Sequence, residues 1–201
     1  SAIDMKTGEI HYGSSEGAII AAAVGQMAKH YGAATMVGSF GVGIDGDEPG
    51  LPSDPGELVF TSATCMSLTD FASGIGGLDQ AKGAALEQIV IDCDLWEVVR
   101  ELCRSVAFDA EHFATDVIDA VGPGGSFLKA PHTARNMRRE LFIPSAEKAA
   151  LYSMYRLDRD KNQVVEQAKR RARAILASHK PEQLEKDTRA DIDRILKKHQ
   201  G

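Results

Sequence analysis

Residues 14–40, SSEGAIIAAAVGQMAKHYGAATMVGSF, decide the expected fold, because they join a helix pattern to a strand pattern through one glycine. The predicted helix runs from Ser14 or Ser15 to Tyr31, with Ser14 as a suitable N-cap and Gly32 placed to stop it. The helix carries small side chains on nearly every face, which predicts that other elements pack closely on both of its sides. The short apolar run at 34–39, bounded by glycines, predicts a buried strand.

The same order of elements repeats further along the chain. Pro55 begins a second predicted helix capped by Asp54, and residues around 69–73 predict a second short strand. A glycine-rich loop then opens into a third predicted helix within 84–106, on which one stripe is expected to be buried. The members of that stripe are Ile89, Cys93, Trp96, Val99, Cys103 and Val106. Helices alternating with strands indicate parallel strands joined by crossover helices.

The second half of the chain is predicted to be helical throughout. Asp109 is placed to cap a helix that runs to Val121, and Gly122 is placed for a left-handed cap. Three further helices are expected, within 132–144, 161–180 and 187–200. Two predicted strands are too few for a sheet with both faces covered. We therefore expect that a partner chain supplies further strands or that this chain is the end of a longer fold. Because the sequence begins with Ser1 rather than Met, we also expect a processed form or an expressed piece of a longer protein.

Length and composition are those of a soluble globular domain. The chain has 201 residues, of which 43% are hydrophobic and 26% are charged. No apolar run approaches the roughly 20 residues that span a bilayer, and no signal-peptide pattern is seen at the start. The odd cysteine count argues against a disulfide framework, and no zinc spacing is present. We expect a cytoplasmic protein with no membrane contact and no metal site.

The charge is unevenly distributed. The net charge is −6, but residues 1–150 carry −11 and residues 151–201 carry +5. The stretch KRRARAILASHK at 169–180 is basic, yet no aromatic side chain is interleaved for base stacking. A solvated helix face that docks on an acidic partner is favoured over a nucleic-acid site.

The glycine clusters do not match nucleotide-binding motifs. In parallel α/β folds, ligands bind in the loops that lead from strands into helices. From Gly74, the G-x-G-x-x-G spacing fails because Asp79 stands at the sixth position, and no Lys-Ser/Thr pair follows a glycine loop. The glycines after Val121 are interpreted as a helix stop rather than a phosphate loop.

Three stretches together resemble the C-terminal region of the trimethylamine methyltransferase family: YGAATMVGSFG at 31–41, GIGGLDQAKGAALEQIVIDCDLW at 74–96 and VIDAVGPGGSFL at 117–128. The resemblance covers nearly the whole chain, with specific motifs up to residue 128 and little beyond. The matching positions are Glu87, Gln88, Ile91, Asp92, Val121, Gly122, Gly124, Phe127 and Leu128.

This resemblance implies a fold and an activity. It implies an α/β chain that forms the C-terminal portion of a TIM (β/α)8 barrel followed by C-terminal helices, and that is predominantly helical in itself. Residues 1–108 would be partial barrel units, and residues 109–201 a helical extension. Family members transfer a methyl group from a methylated amine to the cobalt of a corrinoid on a separate protein. No cofactor would then be bound directly, and the partners would be the corrinoid protein and the small amine.

The resemblance also indicates a substrate class. Trimethylamine-specific members carry pyrrolysine where this chain has Phe40, so the chain resembles the branch without pyrrolysine, which includes glycine betaine enzymes. A quaternary ammonium has no N–H, and it is recognised by aromatic faces and carboxylates. Phe40 and Tyr12 are therefore the candidate aromatic contacts. Each is also compatible with an ordinary packing or surface role.

Other candidate residues follow from the loops. Ser73, Gly74 and Glu87 are candidates for substrate contact, and Gly76, Gly77 and His132 are candidates to face the corrinoid. A solvated or structural role for Glu87 stays open. No acid–base dyad is found, which fits a displacement that needs positioning rather than proton transfer. The alternative is an inactive truncated fragment or interaction module that self-associates, and a homo-oligomer is expected.

Overall fold

The computed structural model describes residues 2–36, 44–51, 55–66, 69–71, 73–141 and 162–199. Helices dominate this part of the chain, as predicted. The helices are α1 Ser15–His30, α2 Pro55–Met66, α3 Leu86–Leu102, α4 Ala110–Phe113, α5 Thr115–Val121, α6 Pro131–Glu140, α7 Asn162–Ser178 and α8 Lys186–His199, with a 3-10 turn at Phe127–Lys129. The strands are β1 Ala2–Ile3, β2 Ile10–His11, β3 Gly77–Leu78 and β4 Gly83–Ala84.

Helix α1 begins as its sequence predicts. The Ser14 hydroxyl accepts a hydrogen bond from the Gly17 N–H at 3.1 Å, and Gly32 follows the helix with a φ of +68°. The face that carries Gly17, Ala21 and Gly25 is buried, and α1 packs against α2. The prediction that α1 is closely packed on both sides is wrong within the described residues. Four apolar side chains on α1 are at least half exposed: Ile19, Ile20, Val24 and Met27.

The two predicted strands meet at one point. Met36 and Phe71 form a parallel β-bridge, and α2 lies between them in the chain. Strand, helix and parallel strand is the order of a βα crossover unit. Residues 37–39 of the first predicted strand, and the predicted cap Asp54, lie outside the described residues.

Short antiparallel hairpins complete the strand content of the described residues. β1 pairs with β2, with Ala2 opposite His11, and β3 pairs with β4, with Gly77 opposite Ala84. The second hairpin falls in the region that the glycine-rich sequence predicts to be an open loop. It lies directly before α3 and gives that loop a fixed shape.

The predicted buried stripe on α3 is wrong for most of its members. Cys93 and Cys103 are exposed, Val106 lies beyond the end of the helix, and Ile89 is also exposed. Val99 alone of the predicted set is fully buried. The buried side chains of α3 are instead Gln88, Val90, Ile91, Asp92, Asp94, Leu95 and Val99. Polar side chains on a helix are normally expected to face solvent. Hydrogen bonds to loop amides allow Gln88 and Asp92 to be buried here.

The core joins α3 to α7. Its members are Val90, Ile91, Leu95, Val164, Ala168 and Ala172. Ala168 and Ala172 leave room for α3 to approach closely. Arg171 on α7 also donates two hydrogen bonds to Asp94 on α3, one of them from Nη2 to Oδ1 at 3.1 Å. The long C-terminal helix therefore packs on the helix that follows the second predicted strand; the boundary proposed at 108 and 109 stays a prediction.

The remaining helices follow their local signals. Asp109 caps α4 by accepting from the His112 N–H at 2.9 Å, but the helix breaks at Ala114, where φ is +47°. Thus one predicted helix is two. Gly122 ends α5 with a φ of +67°. The predicted helices within 161–180 and 187–200 are α7 and α8. No helix in the described part of the chain is long and apolar enough to cross a membrane.

Candidate functional site

Three loops that each lead into a helix define the candidate site. We call them the pre-helix loops: residues 12–14 before α1, residues 44–51 before α2, and residues 73–85 before α3. The chain enters the second and third of these loops after the bridged residues Met36 and Phe71. Ligands of parallel α/β folds bind at this end of the strands.

The Asp45 side chain joins the first two loops. Its Oδ1 accepts from the Tyr12 N–H at 3.2 Å, and its Oδ2 accepts from the Gly13 N–H at 2.9 Å. The Asp45 N–H in turn donates to Glu57 Oε1 on α2 at 2.9 Å. A Cβ at Gly13 would lie 2.7 Å from Glu57 Cγ, so only glycine permits this approach.

The second and third loops are joined through their backbones. The Asp79 N–H donates to the Gly46 carbonyl, and the Gln80 N–H donates to the Ile44 carbonyl, each at 2.7 Å. Asp79, Gln80 and Ala81 all have a positive φ, of 48°, 55° and 68°. Left-handed backbone costs about 1–2 kcal/mol for each non-glycine residue. The contacts with the second loop are what hold this turn in its strained form.

A buried pair at the start of α3 contacts the same two loops. Gln88 and Asp92 have no solvent-exposed surface. Gln88 Oε1 accepts from the Gly50 N–H at 2.8 Å, and Gln88 Nε2 donates to Asp92 Oδ1 at 2.7 Å. Asp92 Oδ2 accepts from the Gly76 N–H at 2.7 Å. Both loops are thus anchored on one helix turn.

The electrostatic character of the site is acidic. Asp45, Glu57 and Asp92 all lie in or directly beneath the pre-helix loops, and Glu57 and Asp92 are buried. A cleft of about 430 Å³ opens beside the first loop. Its lining includes Asp4, His11, Ser14, Glu16 and Asp45. Carboxylates in this number favour a cationic ligand over an anionic one. Within the described residues, no group of three His, Cys, Asp or Glu side chains could hold a metal ion.

The structure brings several predicted site residues together. Ser73 and Gly74 are exposed in the third loop, Gly76 is buried there, and the Gly77 N–H donates to the Gly74 carbonyl at 2.9 Å. Glu87 is half-buried in the first turn of α3, one residue before Gln88. Their roles stay predictions.

The other predicted site residues lie elsewhere or outside the described part. Tyr12 is half-buried in the first loop, where Asp45 binds its N–H. His132 lies in α6, and its Nε2 contacts the Glu111 carbonyl of α4 at 2.9 Å rather than a pre-helix loop. Phe40 lies outside the described residues.

Sequence reasoning missed the residues that hold the loops: Asp45, Glu57, Gln88 and Asp92. A signal was present for the last two. Gln88 and Asp92 are four residues apart in an otherwise apolar helix turn, so they share a face with Ile91. Asp45 lies in a loop with other acidic residues, and nothing local distinguishes it from them.

Comparison with known proteins decides the family. The model of the family described as trimethylamine methyltransferase (MTTB) matches residues 1–201. This chain belongs to the trimethylamine methyltransferase family. Its relatives are named methyltransferases, so the family is enzymatic, and the resemblance inferred from the sequence motifs is confirmed.

Relatives within the methyltransferase family differ in how much of this chain they match. Glycine betaine methyltransferase of Desulfitobacterium hafniense (strain Y51) is 27% identical over 196 residues, which is 96% of this chain and 40% of that protein. Trimethylamine methyltransferase MttB of Methanosarcina barkeri (strain Fusaro / DSM 804) is 29% identical over 130 residues, which is 65% of this chain and 26% of that protein. The chain therefore spans less than half the length of these relatives.

Proposed function

We propose that the protein transfers a methyl group from a quaternary amine of the betaine type to the cobalt of a corrinoid on a partner protein. The observation that carries this proposal is the extent of the matches. Similarity to the glycine betaine enzyme extends over 96% of the chain, whereas similarity to the Methanosarcina barkeri trimethylamine enzyme extends over 65%. Phe40, at the position where the family resemblance implies pyrrolysine in trimethylamine enzymes, supports the same substrate class.

The acidic pre-helix loops support a cationic substrate. A quaternary ammonium carries a permanent positive charge but no N–H, so it is bound by charge and by aromatic faces rather than by hydrogen bonds. Asp45, Glu57 and Asp92 supply negative charge at the loops, although their oxygens also accept backbone N–H groups. We assign the aromatic contacts to Phe40 and Tyr12, each worth about 0.5–2 kcal/mol.

The proposed reaction is an in-line displacement. Cobalt(I) of the corrinoid attacks the methyl carbon, a carbon–cobalt bond forms, and the carbon–nitrogen bond breaks. The electron pair of the broken bond stays on nitrogen, which leaves as a neutral tertiary amine, so no proton transfer is required. The protein then contributes orientation and exclusion of water at the loops. Ser73 and Gly74, exposed in the third loop, are proposed to contact the amine, and Gly77 to face the corrinoid.

We propose that the fold is completed by further chain. The Met36–Phe71 bridge, with α2 between the two residues and α3 after the second, would correspond to two successive βα units of a TIM barrel. The chain spans 40% of the length of the betaine relative. A longer gene product would supply the missing strands, and residues 1–201 would form the last units with the C-terminal helices.

Methyl transfer to cob(I)alamin tests the proposal directly. The longest product of the gene is incubated with cob(I)alamin and glycine betaine, other quaternary amines or trimethylamine, and methylcobalamin formation is followed by absorbance. We expect turnover with a quaternary amine and none with trimethylamine. Absence of turnover with every quaternary amine, or turnover with trimethylamine alone, would contradict the proposed substrate class.

A matched pair of variants tests the aromatic contact. Phe40→Ala should raise KM about tenfold, because about 1.4 kcal/mol of cation–π attraction is lost. Phe40→Tyr keeps an aromatic face and should leave KM within about threefold of the wild-type value. Equal effects of the two variants would remove Phe40 from the substrate site.

A second function is supported by the exposed face of α1. The apolar side chains there, among them Ile20 and Met27, are half exposed in this chain. They suit an interaction module that self-associates without catalysis. The absence of methyl transfer together with strong self-association would favour this alternative.

A further inference from the structure

The buried pair Gln88 and Asp92 forms a chain of hydrogen bonds that we call the relay. It begins at the Gly50 N–H in the second pre-helix loop, passes through both side chains, and ends at the Gly76 N–H in the third loop. All three hydrogen bonds are between 2.7 and 2.8 Å long. Gly50 and Gly76 are thus held by one helix turn although they are far apart in sequence.

Burying the two polar side chains of the relay costs free energy of desolvation. A buried carboxylate and carboxamide lose their hydration, and apolar side chains of similar size are often as stabilising or more so. What polar groups add is direction, because each hydrogen bond fixes the orientation of one backbone amide. The Gly76 amide is anchored where the backbone has a φ of +80° and where a Cβ would meet Ile89 Cγ1 at 2.3 Å.

We propose that Gln88 and Asp92 are positioning residues of the methyltransferase site. They set the second and third pre-helix loops relative to each other, and they thereby place Ser73 and Gly74 for the amine. Neither side chain reaches solvent, so neither touches the substrate. The part of this inference that concerns the amine rests on the proposed function. The effect of the relay on the two loops can be measured without any substrate.

Donor and acceptor roles in the relay can be exchanged. Asp92→Asn alone turns one acceptor into a donor that faces another N–H. Gln88→Glu alone places two carboxylate oxygens against each other. In the double variant, the new carboxamide at position 92 accepts from the Gly76 N–H and donates to the new carboxylate at position 88. That carboxylate accepts from the Gly50 N–H, so all three hydrogen bonds of the relay are restored. The double variant is therefore a rescue that a simple packing role would not produce.

The first measurement is amide hydrogen exchange at Gly50 and Gly76. We expect each single variant to speed exchange at both amides at least tenfold, and the double variant to return both to within about threefold of the wild type. Ile91→Val is the control, because it removes a buried methylene from the same turn without changing the relay. It should lower the melting temperature but leave the exchange at these amides within about twofold. Double-variant exchange as fast as in the single variants overturns the proposal.

The second measurement is kcat/KM for methyl transfer by the longest gene product. Each single variant should lower it at least tenfold, the double variant should restore it to within about threefold, and Ile91→Val should leave it unchanged. Restored exchange without restored kcat/KM would show a purely structural relay and overturn the positioning role. Wild-type protein that transfers no methyl group would instead overturn the proposed function, while exchange still decides whether the relay sets the loops. If Gln88→Glu does not fold, Asp92→Asn and the double variant carry the comparison.

Discussion

Asp70 shows how one side chain can hold three segments together. Its carboxylate accepts from Lys29 Nζ at 2.6 Å and from the Thr35 N–H at 2.8 Å, and the Asp70 N–H donates to the Thr35 carbonyl at 3.0 Å. The hydrogen bond from Lys29, followed by that from the Thr35 backbone, lowers the pKa of Asp70 to about 2. The end of α1 and the two bridged strands meet at this carboxylate.

Asp70 should therefore stabilise the protein in a pH-dependent way. Because its pKa is lower in the folded state than the usual value of 3.8, its contribution is present above about pH 4 and is lost as pH falls towards 2. Asp70→Asn should lower the melting temperature at pH 6, and the difference from wild type should shrink at pH 3. Asp119→Asn, at an exposed site on α5, is the control. A difference that does not change between the two pH values would contradict this role.

At the scale of elements, α3 is the organising helix. One of its faces packs on α7 through apolar side chains, and its first turns hold the pre-helix loops through Gln88 and Asp92. The sequence predicted this helix and its approximate ends. It did not predict the buried face, since Gln and Asp are normally exposed and only the loop amides make their burial tolerable.

The ion pair between α3 and α7 should contribute measurably to stability. Arg171 donates two hydrogen bonds to Asp94, whose side chain is 6% exposed. Arg171→Met keeps the aliphatic stem but removes both charge-assisted hydrogen bonds, so we expect a loss of about 2 kcal/mol in the free energy of unfolding. Urea denaturation measures it, with Arg173→Met on the exposed side of α7 as control. Equal losses in the two variants would show that the ion pair is not responsible.

At the scale of the whole molecule, α1 has two different faces. Its glycine and alanine face packs on α2, whereas Ile19, Ile20, Val24 and Met27 are between 50% and 69% exposed. An apolar helix face of this kind is usually covered by protein. In the proposed barrel a neighbouring unit would cover it, and in the 201-residue chain alone another copy can do so.

The isolated chain should therefore self-associate. We expect its mean mass in sedimentation equilibrium to rise with concentration, because association removes apolar surface from water. Met27→Glu should weaken association at least tenfold, or by about 1.4 kcal/mol. Gln26→Glu adds the same charge one position away and should have a smaller effect. A wild-type chain that stays monomeric at all concentrations would contradict the expectation.

Local patterns in the sequence are enough to predict most of the described helices, several of their caps and the family. Ser14, Gly32, Asp109 and Gly122 act through hydrogen bonds and φ angles within a few residues, so local rules are sufficient to predict them. The motif around residues 87–92 identified the family because its order and spacing are long and specific.

How the loops are held depends on contacts between distant parts of the chain. Asp45, Gln88 and Asp92 bind amides that are between 16 and 38 residues away in the chain. Which amides those are depends on where the helices pack, and no periodicity in the sequence records it. The same contacts reversed the expected burial on α3, because a polar side chain enters the core only when distant partners satisfy it.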